Sequence, residues 1–133
     1  GRLARKGIEA GLAIGYKHRP KPNVVGDVRI AGDVKRKRCL IVDDVIDTGG
    51  TQKEAARTLR KNGAVGLYAW GTHPLFTKGT HGFGIFDEVM ISDTLKTVDV
   101  SNLRNFETIS MVDMFGEAVY RTMLGESLSS LFE

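Results

Sequence analysis

Disulfide partners and long hydrophobic runs are both missing from this sequence. Its single cysteine excludes an intrachain disulfide, and its three histidines show no Cys/His spacing of a structural metal site. No apolar run approaches the roughly 20 residues of a membrane-spanning helix, and the first residues lack the order of a signal peptide. With 41% hydrophobic and 26% charged residues, the composition is typical of a globular domain. We expect a cytoplasmic protein without a membrane partner.

Charge is divided unevenly along the chain. Residues 1–38 contain 11 Lys and Arg against 3 acids, or +8, and residues 39–133 contain 8 against 13, or −5, which together give the net charge of +3. The basic part has no helix-turn-helix spacing, no RNP-like motif and no aromatic residues interleaved with its cations, so we expect no nucleic-acid partner. A small polyanion such as a nucleotide fits better.

The most informative segment is residues 39–51, CLIVDDVIDTGGT. Its first four residues, 39–42, are all apolar and predict a strand covered on both faces. Asp43 and Asp44 follow at the carboxyl end, where open α/β sheets bind ligands. Cys39, inside the apolar run, is expected to be a buried structural thiol. Thr51 and Glu54 fit a capping box that starts a helix.

The loop between this strand and this helix has the composition of a phosphate cradle. Its backbone N–H groups and the positive helix end attract an anion, its hydroxyls donate hydrogen bonds, and its glycines allow close approach. These residues are Asp47, Thr48, Gly49, Gly50 and Thr51. An ordinary glycine turn with solvated acids is the alternative, but the order of apolar run, paired acids and Thr-Gly-Gly-Thr favours a ligand site.

This segment resembles the phosphoribosyl-diphosphate (PRPP) binding motif of type I phosphoribosyltransferases and PRPP synthetases. The resemblance implies that Asp43 and Asp44 hold the ribose 2- and 3-hydroxyls and that residues 47–51 hold the 5-phosphate. It also implies a type I phosphoribosyltransferase-like α/β fold, with a mostly parallel sheet flanked by helices. The motif alone does not separate enzymes that consume PRPP from enzymes that make it.

Upstream, residues 16–25 combine several cations with two prolines and predict an exposed loop. Composition alone fits a solvated basic turn. The segment also resembles the Lys-Arg-Arg-Pro-x-Pro-Asn-Val catalytic loop of PRPP synthetases, with His18 in place of the second Arg. The resemblance implies that Lys17 and Arg19 are the catalytic cations, carried on a β-hairpin flap.

Two further matches favour the synthetases. Thr72-His73-Pro74 ends an apolar run, and there we expect His73 to orient a loop rather than to bind a metal. The terminal residues resemble the Ser-x-Ser-x-Leu-Phe end of the family, which implies that Ser127, Ser129 and Phe132 help to form an allosteric phosphate and nucleotide site. A frayed terminus with one buried Phe is the alternative.

The remaining pattern alternates strands and helices. Flap strands are predicted near residues 11–16 and 25–34, further strands at 65–70, 88–92 and 106–109, and a helix from Gln52 to the Asn62-Gly63 stop signal. A final helix, capped by Ser110, has an apolar stripe that we expect to be core: Met111, Phe115, Ala118, Val119 and Met123. Residues 77–86 are too rich in glycine for a helix prediction.

The resemblance spans residues 1–133 as a single domain, the C-terminal half of a PRPP synthetase without its N-terminal half. It implies a ribose-phosphate diphosphokinase that moves diphosphate from ATP to ribose 5-phosphate, giving PRPP and AMP. It further implies Mg²⁺ held mostly by upstream residues, no metal ligand in this chain, a homo-oligomer (a hexamer built of dimers), and little turnover by the fragment alone. A type I phosphoribosyltransferase and a non-catalytic, synthetase-associated regulatory protein remain the alternatives.

Overall fold

The structure is a computed structural model that describes residues 10–18 and 27–132. The described residues form a two-stranded antiparallel sheet and a four-stranded parallel sheet. In chain order the elements are β1 (Ile14–His18), β2 (Asp27–Ala31), β3 (Arg38–Ile46), α1 (Gly50–Lys61), β4 (Gly66–Pro74), β5 (Glu88–Ser92), β6 (Phe106–Ile109) and α2 (Val112–Leu124). The predicted α/β class with a parallel sheet is confirmed. No helix within the described ranges has the length and apolar character to cross a membrane.

The small sheet is the predicted hairpin. β1 and β2 pair antiparallel, with Ile14 opposite Ala31 and His18 opposite Asp27. The two strands of the predicted flap are therefore confirmed. The segment between them, which includes Arg19, lies outside the described residues.

The large sheet has the order β3-β4-β5-β6, so that β3 is an edge of the sheet within the described residues. The prediction that β3 is covered on both faces is wrong, because Leu40 is 54% and Val42 is 67% exposed. Cys39 and Ile41, on the opposite face, are only half-buried, and this partial burial raises the pKa of the Cys39 thiol. An apolar run is compatible with one covered face or with two, since successive side chains point to opposite faces.

The core lies on the face of the sheet that α1 covers, and aromatic residues fill much of it. The rings of Phe76 and Phe83 meet edge to face with centroids 5.3 Å apart, and Phe106 lies 5.9 Å from Phe83. Phe83 begins a 3₁₀ turn (Phe83–Ile85) and is fully buried. The glycine-rich segment 77–86, for which the sequence predicts no element, therefore contributes a central core residue.

Helix α1 is confirmed as a helix, but it begins earlier than the capping-box pattern predicts. Its N-cap is Gly49, in the left-handed conformation with φ of 66°, and no side chain caps it. The capping box of Thr51 and Glu54 is therefore wrong. Ala56 and Leu59 face the core, and Gln52 is buried with them. Gln52 also lines the predicted ligand site.

Helix α2 does not bury its apolar stripe, so that the prediction of a core helix is wrong. Phe115 is 49% and Met123 is 81% exposed, and none of the residues of α2 is buried. Its N-cap is Met111 rather than Ser110. The start of α2 is held instead by Asp93, which follows β5. Its carboxylate accepts hydrogen bonds from Ser110 Oγ at 2.6 Å and from the Met111 N–H at 2.8 Å.

We predict that Asp93→Asn lowers the melting temperature at pH 7 and has a smaller effect in acid. The Ser110 hydroxyl and then the Met111 N–H hold the pKa of Asp93 below its ordinary value. A carboxyl with a depressed pKa stabilises the fold above the pKa of the unfolded chain, about 3.9 for Asp, and this contribution disappears as the pH falls through the folded value. Thermal unfolding followed by circular dichroism at pH 7 and pH 3 measures the effect, with the exposed-site variant Glu126→Gln as control. An equal loss at both pH values would contradict the assigned role.

Candidate functional site

An open cleft of about 390 Å³ lies where β3 passes into α1. It is lined by Asp43, Val45, Asp47, Thr48, Gly49, Gly50, Thr51 and Gln52. The structure thus brings the first of the paired acids together with the whole predicted phosphate loop. The cleft lies at the carboxyl end of a parallel strand, which is the usual ligand-binding edge of an open α/β sheet.

The two paired acids are not equivalent. β3 continues to Ile46, past both of them, so that Asp43 and Asp44 point to opposite faces of the strand. Asp43 is half-buried and lines the cleft, whereas the exposed Asp44 accepts a hydrogen bond from the N–H of Val45 at 2.8 Å. Asp44 is not among the lining residues. Their predicted role at the ribose hydroxyls stays a prediction, and the geometry favours Asp43.

The loop presents backbone N–H groups at a helix N-terminus. The first helical hydrogen bond runs from the N–H of Lys53 to the carbonyl of Gly49, at 2.9 Å. The N–H groups of Gly50, Thr51 and Gln52 precede that bond and therefore have no acceptor within the helix. Together with the positive helix end they suit an anion.

A buried ring forms the floor of this loop. A Cβ atom added to Gly49 would lie 2.2 Å from Cζ of Phe83, so no larger residue fits there without displacing the ring. Lys53 lies against the same ring, with Nζ 5.0 Å from its centroid, and donates a hydrogen bond to the carbonyl of His81 at 3.0 Å. Segment 77–86 thus supports the loop. The sequence did not predict this support, because the residues in contact are at least 28 positions apart in the chain.

Asp47 faces the neighbouring loop. Its Oδ1 accepts hydrogen bonds from the Thr77 N–H, at 2.9 Å, and from the Thr77 hydroxyl. The hydroxyl and then the N–H hold the pKa of Asp47 below its ordinary value. Asp47 therefore ties the loop after β3 to the loop after β4, and its contribution to an anion site is its backbone rather than its carboxylate.

His73 connects the end of β4 to the loop after β5. Its Nδ1 lies 2.9 Å from the hydroxyl oxygen of Thr94, which in turn donates to the carbonyl of Thr72 at 2.6 Å. This contact supports the expectation that His73 orients a loop, and the role stays a prediction. In the part of the chain that the structure describes, no three His, Cys, Asp or Glu side chains come together in a way that could hold a metal ion.

The family model described as the phosphoribosyl synthetase-associated domain matches residues 12–133. The chain belongs to this family.

The names of two relatives are consistent with this family. The chain is 37% identical to the ribose-phosphate pyrophosphokinase of Buchnera aphidicola (subsp. Schizaphis graminum) over 98% of its own length and 43% of that protein. It is 39% identical to the enzyme of the same name from Chlorobaculum tepidum, over 99% of this chain and 42% of the relative. The chain therefore spans about two fifths of the length of these relatives.

A solved structure confirms the fold of this family member. The phosphoribosylpyrophosphate synthetase of Mycobacterium smegmatis superposes with a TM-score of 0.76 at 26% identity, over 93% of this chain and 40% of that chain. The predicted phosphoribosyltransferase-like arrangement of parallel strands is thereby confirmed at the level of fold.

Other residues predicted from the resemblance stay predictions. Lys17 lies in β1 opposite Val28, but its side chain and the whole of Arg19 are outside the described residues. Near the C-terminus the hydroxyls of Ser127 and Ser129 lie 3.0 Å apart, and Arg121 donates to the carbonyl of Ser127 at 3.4 Å.

The end of the chain forms a second 3₁₀ turn, Ser129–Phe132. Phe132 is its last residue, and its side chain is outside the described part of the chain. Ser129 thus lies in this turn, and Ser127 lies between the turn and the end of α2. Whether this turn binds a phosphate effector stays a prediction of the resemblance.

We predict that Gly49→Ala destabilises the fold far more than Gly50→Ala. The first change combines a left-handed φ, which costs an L-residue about 1–2 kcal/mol, with the collision against Phe83. At Gly50 the nearest atom to an added Cβ is Thr48 Oγ1, at 3.7 Å, and alanine favours the first turn of a helix. Urea unfolding should show a loss of at least about 2 kcal/mol for Gly49→Ala and little change for its neighbour. Equal losses would mean that the loop does not rest on Phe83.

We also predict that Thr77→Val raises the pKa of Asp47. The substitution keeps the shape of the side chain and removes the hydroxyl donor, while the Thr77 N–H continues to donate, so the pKa should move part of the way to its ordinary value. A ¹³C NMR titration of the Asp47 carboxyl measures the change, with Thr80→Val as the matched control. An unchanged titration would show that the hydroxyl does not contact Asp47.

Proposed function

We propose that this chain supplies the ribose 5-phosphate site of a ribose-phosphate diphosphokinase. The observation that carries the proposal is the cleft in which the carboxylate of Asp43 and the N-terminus of α1 face the same open space. Its volume of about 390 Å³ lies within the range of small-molecule sites. A furanose 5-phosphate has hydroxyl donors at one end and a dianion at the other, which matches this arrangement.

In the proposed complex the phosphate lies at the loop and the hydroxyls lie at the strand. The N–H groups of Gly50, Thr51 and Gln52 donate to the phosphate oxygens, with the hydroxyls of Thr48 and Thr51 beside them. An ionised carboxylate can only accept hydrogen bonds, so Asp43 is a suitable partner for sugar hydroxyls. We assign the diol chiefly to Asp43, because Asp44 lies on the other face of β3.

The proposed reaction is a diphosphoryl transfer. The anomeric hydroxyl of ribose 5-phosphate attacks the β-phosphorus of ATP, a new P–O bond forms, the bond between the β-phosphorus and the oxygen of the α-phosphate breaks, and AMP leaves as the hydroxyl proton is lost. Such a step needs positioning and charge neutralisation more than covalent help from the protein. The cleft supplies the position of the acceptor. Lys17 and Arg19 would neutralise charge on the moving phosphates, as the resemblance implies.

Magnesium has no protein-held site among the described residues, which bring no three suitable side chains together. The carboxylates of Asp43 and Asp47 already accept hydrogen bonds from Gln52 and Thr77. The described residues therefore do not fit a magnesium cage, and no step is assigned to that ion.

The proposal also includes self-association. The resemblance implies a homo-oligomer, and the exposed apolar residues of α2, such as Val119 (58%) and Met123 (81%), support a protein surface as the partner of that helix. ATP is the second substrate in the proposal, and the cytoplasm is the proposed location.

The experiment that tests this function is a measurement of AMP formation from ATP and ribose 5-phosphate by the full-length gene product. We expect Asp43→Ala to lower kcat/KM for ribose 5-phosphate about ten- to hundredfold, because a hydrogen bond to a charged group is worth about 1.5–3 kcal/mol. Lys17→Ala should lower kcat about 10²- to 10³-fold, as loss of a transition-state donor does. The exposed Lys61→Ala serves as the matched control and should be neutral.

The same preparation separates the alternatives. Cleavage of PRPP in the presence of a base, without use of ATP, would identify a phosphoribosyltransferase and overturn the proposal. Absence of turnover, combined with co-purification with an active synthetase, would identify a regulatory relative. Full activity of both Asp43→Ala and Lys17→Ala would show that the cleft and the flap have been given the wrong roles.

A further inference from the structure

A polar side chain is buried in the first turn of α1. Gln52 is only 5% exposed, although it also lines the cleft. Glutamine is seldom buried, and a buried amide destabilises a fold unless it is hydrogen-bonded. The position faces the core together with Ala56 and Leu59, where an apolar residue would suit packing alone. The amide therefore requires an explanation other than packing.

The partner of this amide is the carboxylate in the cleft. Gln52 Nε2 donates a hydrogen bond to Asp43 Oδ2. The orientation of the amide is fixed by this bond, since an ionised carboxylate accepts and never donates. The other oxygen of Asp43 accepts from the N–H of Asp44 at 3.1 Å. Both carboxylate oxygens are thus held, one from its own strand and one from the helix.

We propose that Gln52 is a positioning residue that aims the carboxylate of Asp43 at the hydroxyls of a sugar phosphate. The inference rests on the proposed function, since it specifies how that site selects its ligand. Helix α1 carries both the N–H groups that face the phosphate and the amide that holds Asp43. One rigid element therefore sets the distance between the anion-binding end and the hydroxyl-binding end of the cleft. Groups held in place before binding need not be ordered when the ligand arrives, which favours affinity.

A purely structural role makes a different prediction. If Gln52 only satisfied a buried carboxylate, its replacement would change stability and would weaken all anionic ligands to a similar degree. If it positions Asp43, replacement should weaken a sugar phosphate selectively and leave inorganic phosphate unaffected. The two ligands share the phosphate end and differ only at the end where Asp43 lies.

The test is calorimetric titration of the protein with ribose 5-phosphate and with inorganic phosphate. We expect Gln52→Leu to lower the affinity for ribose 5-phosphate about tenfold and that for inorganic phosphate less than about twofold. Its melting temperature should change little, because leucine has a similar volume and the half-buried Asp43 lines an open cleft, where water can replace the lost donor. Glu54→Gln, a change at a half-buried position of the same turn that does not line the cleft, is the control and should bind both ligands as the wild type does.

A second variant gives a pH signature that packing does not produce. In Gln52→Glu two ionised carboxylates meet at pH 8, repel each other and misplace Asp43. As the pH falls, the pair can share one proton, because adjacent carboxyls raise each other's proton affinity, and a donor to Asp43 is restored. The affinity of this variant for ribose 5-phosphate, divided by that of the wild type, should therefore rise at least about fivefold as the pH falls. Dividing by the wild-type affinity cancels the effect of pH on the ionisation of the ligand's phosphate group.

The outcomes separate the positioning role of Gln52 from the proposed function. Binding of ribose 5-phosphate by the wild type, with equal affinity in Gln52→Leu, overturns the positioning role and leaves the proposed function standing. A pH-independent ratio for Gln52→Glu also overturns it. If the wild type does not bind ribose 5-phosphate, the proposed function and this inference are both overturned.

Discussion

The rest of the site depends on one steric constraint, the contact of Gly49 with the ring of Phe83. The left-handed conformation of Gly49 turns the chain from β3 into α1, and an added Cβ would lie 2.2 Å from the ring. This turn sets where the helix starts, and hence which N–H groups face the cleft. It also sets the position of Gln52, and through Gln52 the carboxylate of Asp43. A glycine is required here for its conformation and for its size at the same time.

The loop owes its shape to segment 77–86, in which the one helical element is the short 3₁₀ turn Phe83–Ile85. Thr77 holds Asp47, Phe83 lies under Gly49, and the carbonyl of His81 receives Lys53. Sites that must hold a ligand in one geometry depend on such surrounding contacts as much as on the residues that touch the ligand. The closely packed aromatic residues around Phe83 make this support rigid, because a core at native density resists displacement of a ring.

Two apolar surfaces that the sequence pattern predicts to be buried are exposed in the structure. Leu40 and Val42 on β3 and the stripe on α2 have the sequence signature of buried positions, yet the described residues do not cover them. A hydrophobic pattern records that a face is apolar, and it carries no information about which surface covers that face. The predictions of core burial failed at these two elements for that reason.

The sequence by itself determined the elements and the chemistry of the loop. The predicted strands at 88–92 and 106–109 coincide with β5 and β6, and Asp43 and residues 47–51 line one cleft, because strand pattern, turn chemistry and helix-end polarity are local properties. Only the tertiary structure decided that β3 pairs with β4 past both acids, that the helix begins at Gly50, and that Thr77, Phe83 and Gln52 build the site. Those features arise from contacts between residues that are distant in the chain, and such contacts are fixed by how the elements pack.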